Sequence, residues 1–421
     1  MKAPLRVGVI GMGGFAALHH DAVWQLEQEG ACRLVCTCDP ALASFAARQQ
    51  ALQFDGRGVR LFADYQEMLA ACGDDLDVVT IPTPVPLHAA MHQAVVERGL
   101  AAYLEKPPTL DIAELTRMLA VEDGAKFQTN VGFNYIIEPD RHALKLRLMA
   151  GEFGAVQRVS VLGLWPRNDR YYARAAWPGR LMLDGRLVLD SCFGNAMAHF
   201  VHNGLFWCGL ADEWAWSDVR EVTAELYRAN AIEGTDTAFI RAVGSNGPEL
   251  LIGMSHACNG RHYNYERIEC EQAVITYGDH GERWGVTVHW RDGRKEQWEA
   301  GRATTSENLL GYFAYVRGEE PRPVTRLVDS RPFVVINDLA YIAATQITAI
   351  AAPWVAQEVA EDGSVQTFVA DMAAVTERFV ATGEFPSVQG IPWAVPGGSA
   401  RQDDLPQLNA VISRLVRERA M

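Results

Sequence analysis

The first stretch of the chain alternates short apolar runs with amphipathic segments. Leu5 to Ile10 is an apolar run ending in glycines, and Phe15 to Glu29 then sets Phe15, Leu18, Ala22, Val23 and Leu26 at helical spacing. Leu34 to Cys38 and Asp77 to Ile81 read as further strands. A helix follows from about Pro86, a residue suited to a first turn, to Arg98. Ala101 to Leu104 and Lys126 to Phe133 are the next strands. Strand and helix in regular alternation predict a parallel, doubly wound sheet.

Later the pattern changes. Val156–Trp165, Val222–Arg228, Thr237–Val243, Glu249–His256, Ile268–Tyr277 and Gly285–Trp290 are strand-like, several joined by turns such as Gly244-Ser245-Asn246-Gly247. Strands that follow one another without helices predict a mostly antiparallel sheet. A long apolar helix is expected from Arg331 to about Ala351, and amphipathic helices over Met372–Val380 and Leu408–Arg419, with a Pro/Gly-rich loop around Pro386 to Gly398 between them.

Composition narrows the class. At 421 residues the chain suits two domains, and 49% apolar with 21% charged residues is a globular balance. A formal charge of -14 argues against a nucleic-acid partner and against docking on anionic lipid. No run of apolar residues is long enough to span a membrane. The segment Met1-Lys2-Ala3-Pro4-Leu5-Arg6 carries no apolar signal core and no twin-arginine pair, so a cytoplasmic protein is expected. Eight scattered cysteines fit reduced thiols, and Cys32, Cys36, Cys38 and Cys72 lack paired zinc spacing, so no metal is expected.

The candidate chemistry begins at Gly8-Val9-Ile10-Gly11-Met12-Gly13-Gly14-Phe15-Ala16, which follows a strand and opens a helix. Gly11 permits the tight turn, Gly13 a close backbone approach to a pyrophosphate, and Ala16 the small third position; Gly14 and Phe15 lie between them. Asp39, ending the second strand, suits the adenosine ribose hydroxyls and would repel a 2′-phosphate, which favours NAD over NADP. As a bland alternative, Asp39 is a turn former ahead of Pro40. The fold class expected is α/β: an N-terminal Rossmann dinucleotide-binding domain over residues 1–133 and a C-terminal α+β domain with a large open, mostly antiparallel sheet over 134–350. A helical extension over 351–421 is expected to pack on the body.

Thr83-Pro84-Val85-Pro86-Leu87-His88 and Glu105-Lys106-Pro107-Pro108 each follow a strand end, where open α/β sheets bind ligands. An ammonium there can hydrogen-bond a substrate hydroxyl or relay a proton; a structural pair with Glu105 is the alternative. Together with Gly132-Phe133-Asn134, Gly151-Glu152-Phe153-Gly154 and the helix Arg331 to Gln346 preceded by Pro323, these motifs resemble the Gfo/Idh/MocA family, glucose–fructose oxidoreductase, inositol 2-dehydrogenase and relatives, over roughly residues 2 to 350. The resemblance implies that Lys106 is the catalytic lysine and that Glu105, Thr83, Pro84, His88 and Asn134 belong to the cofactor site. It also implies a C-terminal open sheet that serves in homo-oligomer contacts. A cis Lys106–Pro107 peptide is expected.

Phe193 to Trp207 reads as one apolar helix interrupted by Asn195, His199, His202 and Asn203, at i, i+4, i+7 and i+8. Such a stripe must face a polar network or a ligand. The family's Asp-x-x-x-His-x-x-Asp pattern maps its histidine, a general acid/base, onto His199; Asn195 and His202 stand where the family has Asp. Upstream, Tyr172, Trp177 and Arg180 suit a hydroxylated ring bearing a carboxylate or phosphate. The expected function is hydride transfer between NAD and a secondary alcohol of a sugar, cyclitol or sugar acid, with Lys106, His199 and Asn195 catalytic and His202 and Asn203 facing substrate. Alternatives are a glycoside-cleaving enzyme that oxidises its sugar transiently and a non-catalytic dinucleotide-binding regulator.

Overall fold

A computed structural model describes residues 3–279 and 284–420; Met1 and Lys2, read above as part of the N-terminal segment, lie outside them. The chain divides into two compact units.

Unit one takes the chain up to Thr109, then 113–137 and 302–331. Its strands are β1 (Leu5–Ile10), β2 (Cys32–Cys38), β3 (Arg60–Phe62), β4 (Val78–Ile81), β5 (Ala101–Leu104) and β6 (Asn130–Val131). They form one parallel sheet in the order β3-β2-β1-β4-β5-β6. Every residue of β4 and β5 is buried, as a parallel sheet covered on both faces requires. The strand expected over Lys126–Phe133 shrinks to Asn130–Val131.

The expected boundary at residue 133 is corrected by the segment 302–331, which returns to unit one. Its helix Thr305–Val316 opens with a capping box, Thr304 and Glu307. Leu309, Tyr312 and Phe313 then join Val7, Val9, Val23 and Tyr103 in one apolar core, and the Tyr312 hydroxyl donates to the Gln128 carbonyl at 3.0 Å.

Unit two carries β7 (Val156–Leu164), a hairpin of β8 (Met182–Leu183) and β9 (Arg186–Leu187), then β10 (Glu221–Arg228), β11 (Thr237–Val243), β12 (Glu249–Ser255), β13 (Tyr263–Cys270), β14 (Ala273–Asp279), β15 (Trp284–Trp290) and β16 (Lys295–Glu299). After the helix Arg331–Ala344 come β17 (Ile347–Ala349), β18 (Val355–Val359), β19 (Val365–Val369) and β20 (Gly398–Arg401). The large sheet runs β16-β15-β14-β13-β7-β12-β11-β10-β17, with β20 also on β10. Its pairs are antiparallel apart from β7 with β12 and β10 with β17. Alternate residues of β13 are buried, the period of a strand with one face covered. The edge strand β16, Lys-Glu-Gln-Trp-Glu, has a charged, open pattern that discourages further pairing.

The long C-terminal helix stops at Ala344 instead of running on to 351. Thr345 turns left-handed at φ 59°, and the β-branched Ile347 and Thr348 pair with Leu226 and Tyr227 in β17. Residues beyond 350 are part of unit two and not a purely helical extension: β18 pairs β19, β20 joins the sheet, and the helix Met372–Thr382 packs on β7 and β12. All eight cysteines are buried and free of disulfides. No helix among the described residues is long and apolar enough to cross a membrane.

Candidate functional site

In unit one the glycine turn is held by backbone and by two side chains, Asp39 and His20. Gly11 takes φ 107°, and its N–H donates to the Cys38 carbonyl at 2.7 Å. A Cβ at Gly11 would lie 3.4 Å from Ala16 and 3.5 Å from Thr83, so these three expected residues do come together. At Gly13 a Cβ would meet the Phe45 ring at 2.9 Å, and Gly14 has φ 55° with open space around it. Phe15 is exposed at the start of the helix Ala16–Gln28, whose first turn no side chain caps. Asp39 braces the turn: Oδ2 accepts from Met12 N at 2.9 Å and Oδ1 from Ala41 N at 2.8 Å. The ribose and turn-former readings of Asp39 are therefore compatible, because a carboxylate has further acceptor capacity. His20, from the helix behind, places Nε2 3.1 Å from the Gly11 carbonyl, and burial pushes its pKa down to about 4.

The strand ends beside this turn are tied together from within. Glu105 is buried, with Oε1 2.9 Å from His19 Nε2 and Oε2 accepting from Lys106 N at 3.1 Å. Gly132 is glycine because a Cβ would lie 2.7 Å from Glu105 Oε1. The Lys106–Pro107 peptide is cis, as expected. Asn134 keeps its Oδ1 buried with no hydrogen-bond partner among the described residues, an orphaned acceptor of the kind a ligand donor satisfies.

Unit two supplies a different kind of constellation. The segment expected as one helix breaks into a wide π-helical turn, Cys192–Ala196, and the helix Ala198–Cys208. Ser191 caps the turn by accepting from Gly194 N at 2.8 Å. Between residues 191 and 208, Asn195, Ala196 and His199 alone are not buried. Asn195 is anchored: its Nδ2 donates to Asp190 Oδ1 at 2.8 Å, while Asp190 Oδ2 accepts from Gly179 N at 2.6 Å. Asp190 follows Leu189, which is held at φ 50°, a left-handed backbone that costs a leucine on the order of 1 kcal/mol.

The oxidoreductase family with an NAD-binding Rossmann fold, Gfo/Idh/MocA, matches residues 5–133. Those residues are a Gfo/Idh/MocA NAD-binding domain. An inositol 2-dehydrogenase from Corynebacterium glutamicum is 30% identical over 176 residues, 42% of this chain and 50% of that relative, so the chain spans about half its length. A D-apiose dehydrogenase from Paraburkholderia graminis is 24% identical over 352 residues, 79% of this chain and 86% of the relative. Among solved structures, a WlbA dehydrogenase from Bordetella pertussis in complex with NADH and UDP-GlcNAcA superposes with TM-score 0.63 at 22% identity, over 79% of this chain and 93% of that one. The myo-inositol 2-dehydrogenase from Lactobacillus plantarum gives TM-score 0.62 at 17% identity, over 80% and 96%. These structures share the fold.

Several residues to which the Gfo/Idh/MocA resemblance gives a role are engaged within the protein. His88 is buried, with Nε2 2.7 Å from the Thr83 carbonyl and Nδ1 3.0 and 3.2 Å from those of Pro107 and Pro108. It staples the two strand-end loops, and burial lowers its pKa. Pro84 precedes the short turn Val85–Leu87 in the same loop. Glu105 likewise spends both oxygens on protein donors. His19, missed in the sequence, is the partner that orients it.

His202 and Asn203, expected to face substrate, are both buried. The His202 ring is buried 5.0 Å from Trp216, and Asn203 Nδ2 donates to Glu266 Oε1 at 2.7 Å. Glu266 also receives Arg141 and the Trp207 indole, and Arg141 donates to Glu138 at 3.0 Å. Burial opposes the Arg141 charge, but Glu266 and Glu138 outweigh it and hold the pKa above its ordinary value. Tyr172 and Arg180 line one cavity with Gly179 between them, whereas Trp177 lies under the Arg174 guanidinium at 4.8 Å. Among the described residues no group of three or more His, Cys, Asp or Glu could hold a metal ion.

Proposed function

We propose that the protein is an NAD-dependent dehydrogenase acting on a secondary alcohol of a sugar, cyclitol or sugar acid. The observation that carries this reading is the pair of partly exposed polar side chains, Asn195 and His199, four residues apart in a largely buried segment. The NAD-binding domain supports it, and NAD is preferred over NADP because Asp39 stands where a 2′-phosphate would meet negative charge. A bound nicotinamide supplies the hydride acceptor.

The chain's own residues do the rest. His199 takes the hydroxyl proton as general base. Lys106, at the end of β5, holds positive charge near the oxygen as it becomes a carbonyl and lowers the hydroxyl pKa. Asn195 orients the hydroxyl through its amide, and Asp190 keeps that amide from rotating away. Aspartate at position 195 would face the Asp190 carboxylate, so the family's negative charge has moved five residues upstream. The large sheet of unit two is proposed to serve homo-oligomer contacts, as it does in the family.

A panel of neutral sugars, cyclitols and sugar acids, scored by nicotinamide absorbance with NAD and with NADP, identifies the substrate. With the best substrate, Lys106→Ala and His199→Asn are expected to lower kcat by about 10²–10⁴ while NAD affinity is retained. Full activity in either variant removes that residue from the mechanism.

A further inference from the structure

Unit two contains a cavity of about 260 Å³ whose wall includes Tyr172, Gly179, Arg180, Ile232, Glu233 and Arg419. Its charges do not balance. Arg180 donates to Glu233 Oε1 at 2.6 Å and Leu181 N to Oε2 at 3.1 Å, so both oxygens of this carboxylate are engaged. Arg228 stands behind it, donating to the Glu233 carbonyl at 3.3 Å. Burial first, and the Arg419 guanidinium second, hold the Arg228 pKa below its ordinary value. The other carboxylate facing Arg228 is Asp236, which is buried and already accepts from Ala229 N, Asn230 N and the Thr237 hydroxyl. Among the described residues neither Arg228 nor Arg419 makes an ion pair. The wall itself carries two guanidiniums, Arg180 and Arg419, against one carboxylate, Glu233, whose oxygens are both engaged.

Two more features mark the cavity as a place for a ligand. Tyr172, in its wall, keeps its hydroxyl buried with no hydrogen-bond partner among the described residues. Gly179, also in the wall, donates its N–H to Asp190 Oδ2 at 2.6 Å, and the other oxygen of Asp190 holds Asn195. The cavity wall is thus two hydrogen bonds from the amide that orients the reacting hydroxyl. Its volume suits one end of a single sugar and is small for a nucleotide.

We propose that this cavity seats an anionic group of the substrate, a carboxylate or a phosphate, with Arg419 from the helix Leu408–Ala420 and Arg180 as its counter-charges. A guanidinium presents parallel N–H donors to such a group. The inference rests on the reading of Asn195 as substrate-facing, and it assigns the C-terminal helix a share in substrate choice.

Isothermal titration of the full chain, without dinucleotide, tests it with four probes: D-glucose, D-glucuronate, D-glucose 6-phosphate and inorganic phosphate. At least one anionic probe should bind at least tenfold more tightly than D-glucose, and the strongest of them identifies carboxylate or phosphate. Arg419→Ala and Arg419→Gln should each weaken that probe by about ten- to a hundredfold, the range of a charge-assisted hydrogen bond. Equal affinity for glucose and the anions overturns the proposal, as does anion binding that survives both Arg419 substitutions. Because binding is read without hydride transfer, failure of the dehydrogenase reading leaves a separate signature: Arg419-dependent anion binding with no turnover of any substrate.

Discussion

Residues 195–199 and 202–203 are neighbours in sequence and alike in composition, yet they end in opposite environments. Asn195 and His199 reach accessible surface. His202 and Asn203 are sealed in the core, one against Trp216 and the other on Glu266. The π-helical turn over Cys192–Ala196 sets where Asn195 falls, whereas His199, His202 and Asn203 share the helix Ala198–Cys208 and differ in what their faces meet. A wide turn adds residues per revolution and rotates Asn195 off the face that an unbroken helix would give it. The polar stripe therefore has two parts: Asn195 and His199 are partly exposed, while Asn203 donates into the buried Arg141–Glu266–Glu138 cluster and His202 packs on Trp216.

The sharpest way to break this comparison is to exchange the costs. His199→Phe is expected to lower kcat by about 10²–10⁴ and to move stability by no more than about 0.5 kcal/mol. Arg141→Met leaves Glu138 and Glu266 buried without their cation and should cost about 3–5 kcal/mol in urea unfolding, with kcat of the folded fraction nearly unchanged. Were Arg141→Met to abolish turnover at unaltered stability, the inner cluster would belong to the reaction and the division would fail.

A smaller effect sharpens the contrast between the units. In unit one the polar groups around the glycine turn serve the backbone, and His20 is the clearest case. Its folded pKa, pushed down to about 4 by burial, lies below the ordinary 6.5 of the unfolded chain. Between those values the unfolded state binds the extra proton, so stability is full above pH 6.5 and is lost as pH falls toward 4. The loss from His20 alone is on the order of 3 kcal/mol at pH 4. His20→Gln should flatten the urea stability profile across that window by about one proton, while a profile unchanged in slope would place His20 elsewhere.

Much of unit one was readable before the fold was known, because its signals are local. A wholly apolar β4 and β5, the glycine turn and Glu105-Lys106-Pro107 each lie within a few consecutive residues. What escaped depends on distant partners. His19 has no meaning until Glu105, 86 positions later, meets its ring. Arg419 reads as a charge near a helix end until folding sets it beside Arg180 and Glu233. The end of the helix at Ala344 is a contest between apolar helix pattern and β-branched residues, decided by the free edge of β10. The motif sets His88 at a strand-end loop, and only the fold brings the carbonyls of Thr83, Pro107 and Pro108 around its ring.

The return of 302–331 to unit one is the same lesson in its mildest energetic form. Nothing local says which sheet the helix Thr305–Val316 will cover; Leu309, Tyr312 and Phe313 decide it by closing the core over Val7, Val9 and Tyr103. The helix still has a local start signal, with Thr304 Oγ1 accepting from Glu307 N at 3.1 Å and Glu307 Oε2 accepting from Thr304 N at 2.8 Å. Thr304→Ala removes one half of that box and should cost about 1 kcal/mol. If the segment belongs to unit one, the loss will appear as faster amide exchange around β1 and β5 as well as in the helix, with the strands of unit two unaffected. Faster exchange confined to β13–β16 would instead assign 302–331 to the second unit, the place the sequence pattern predicts for it.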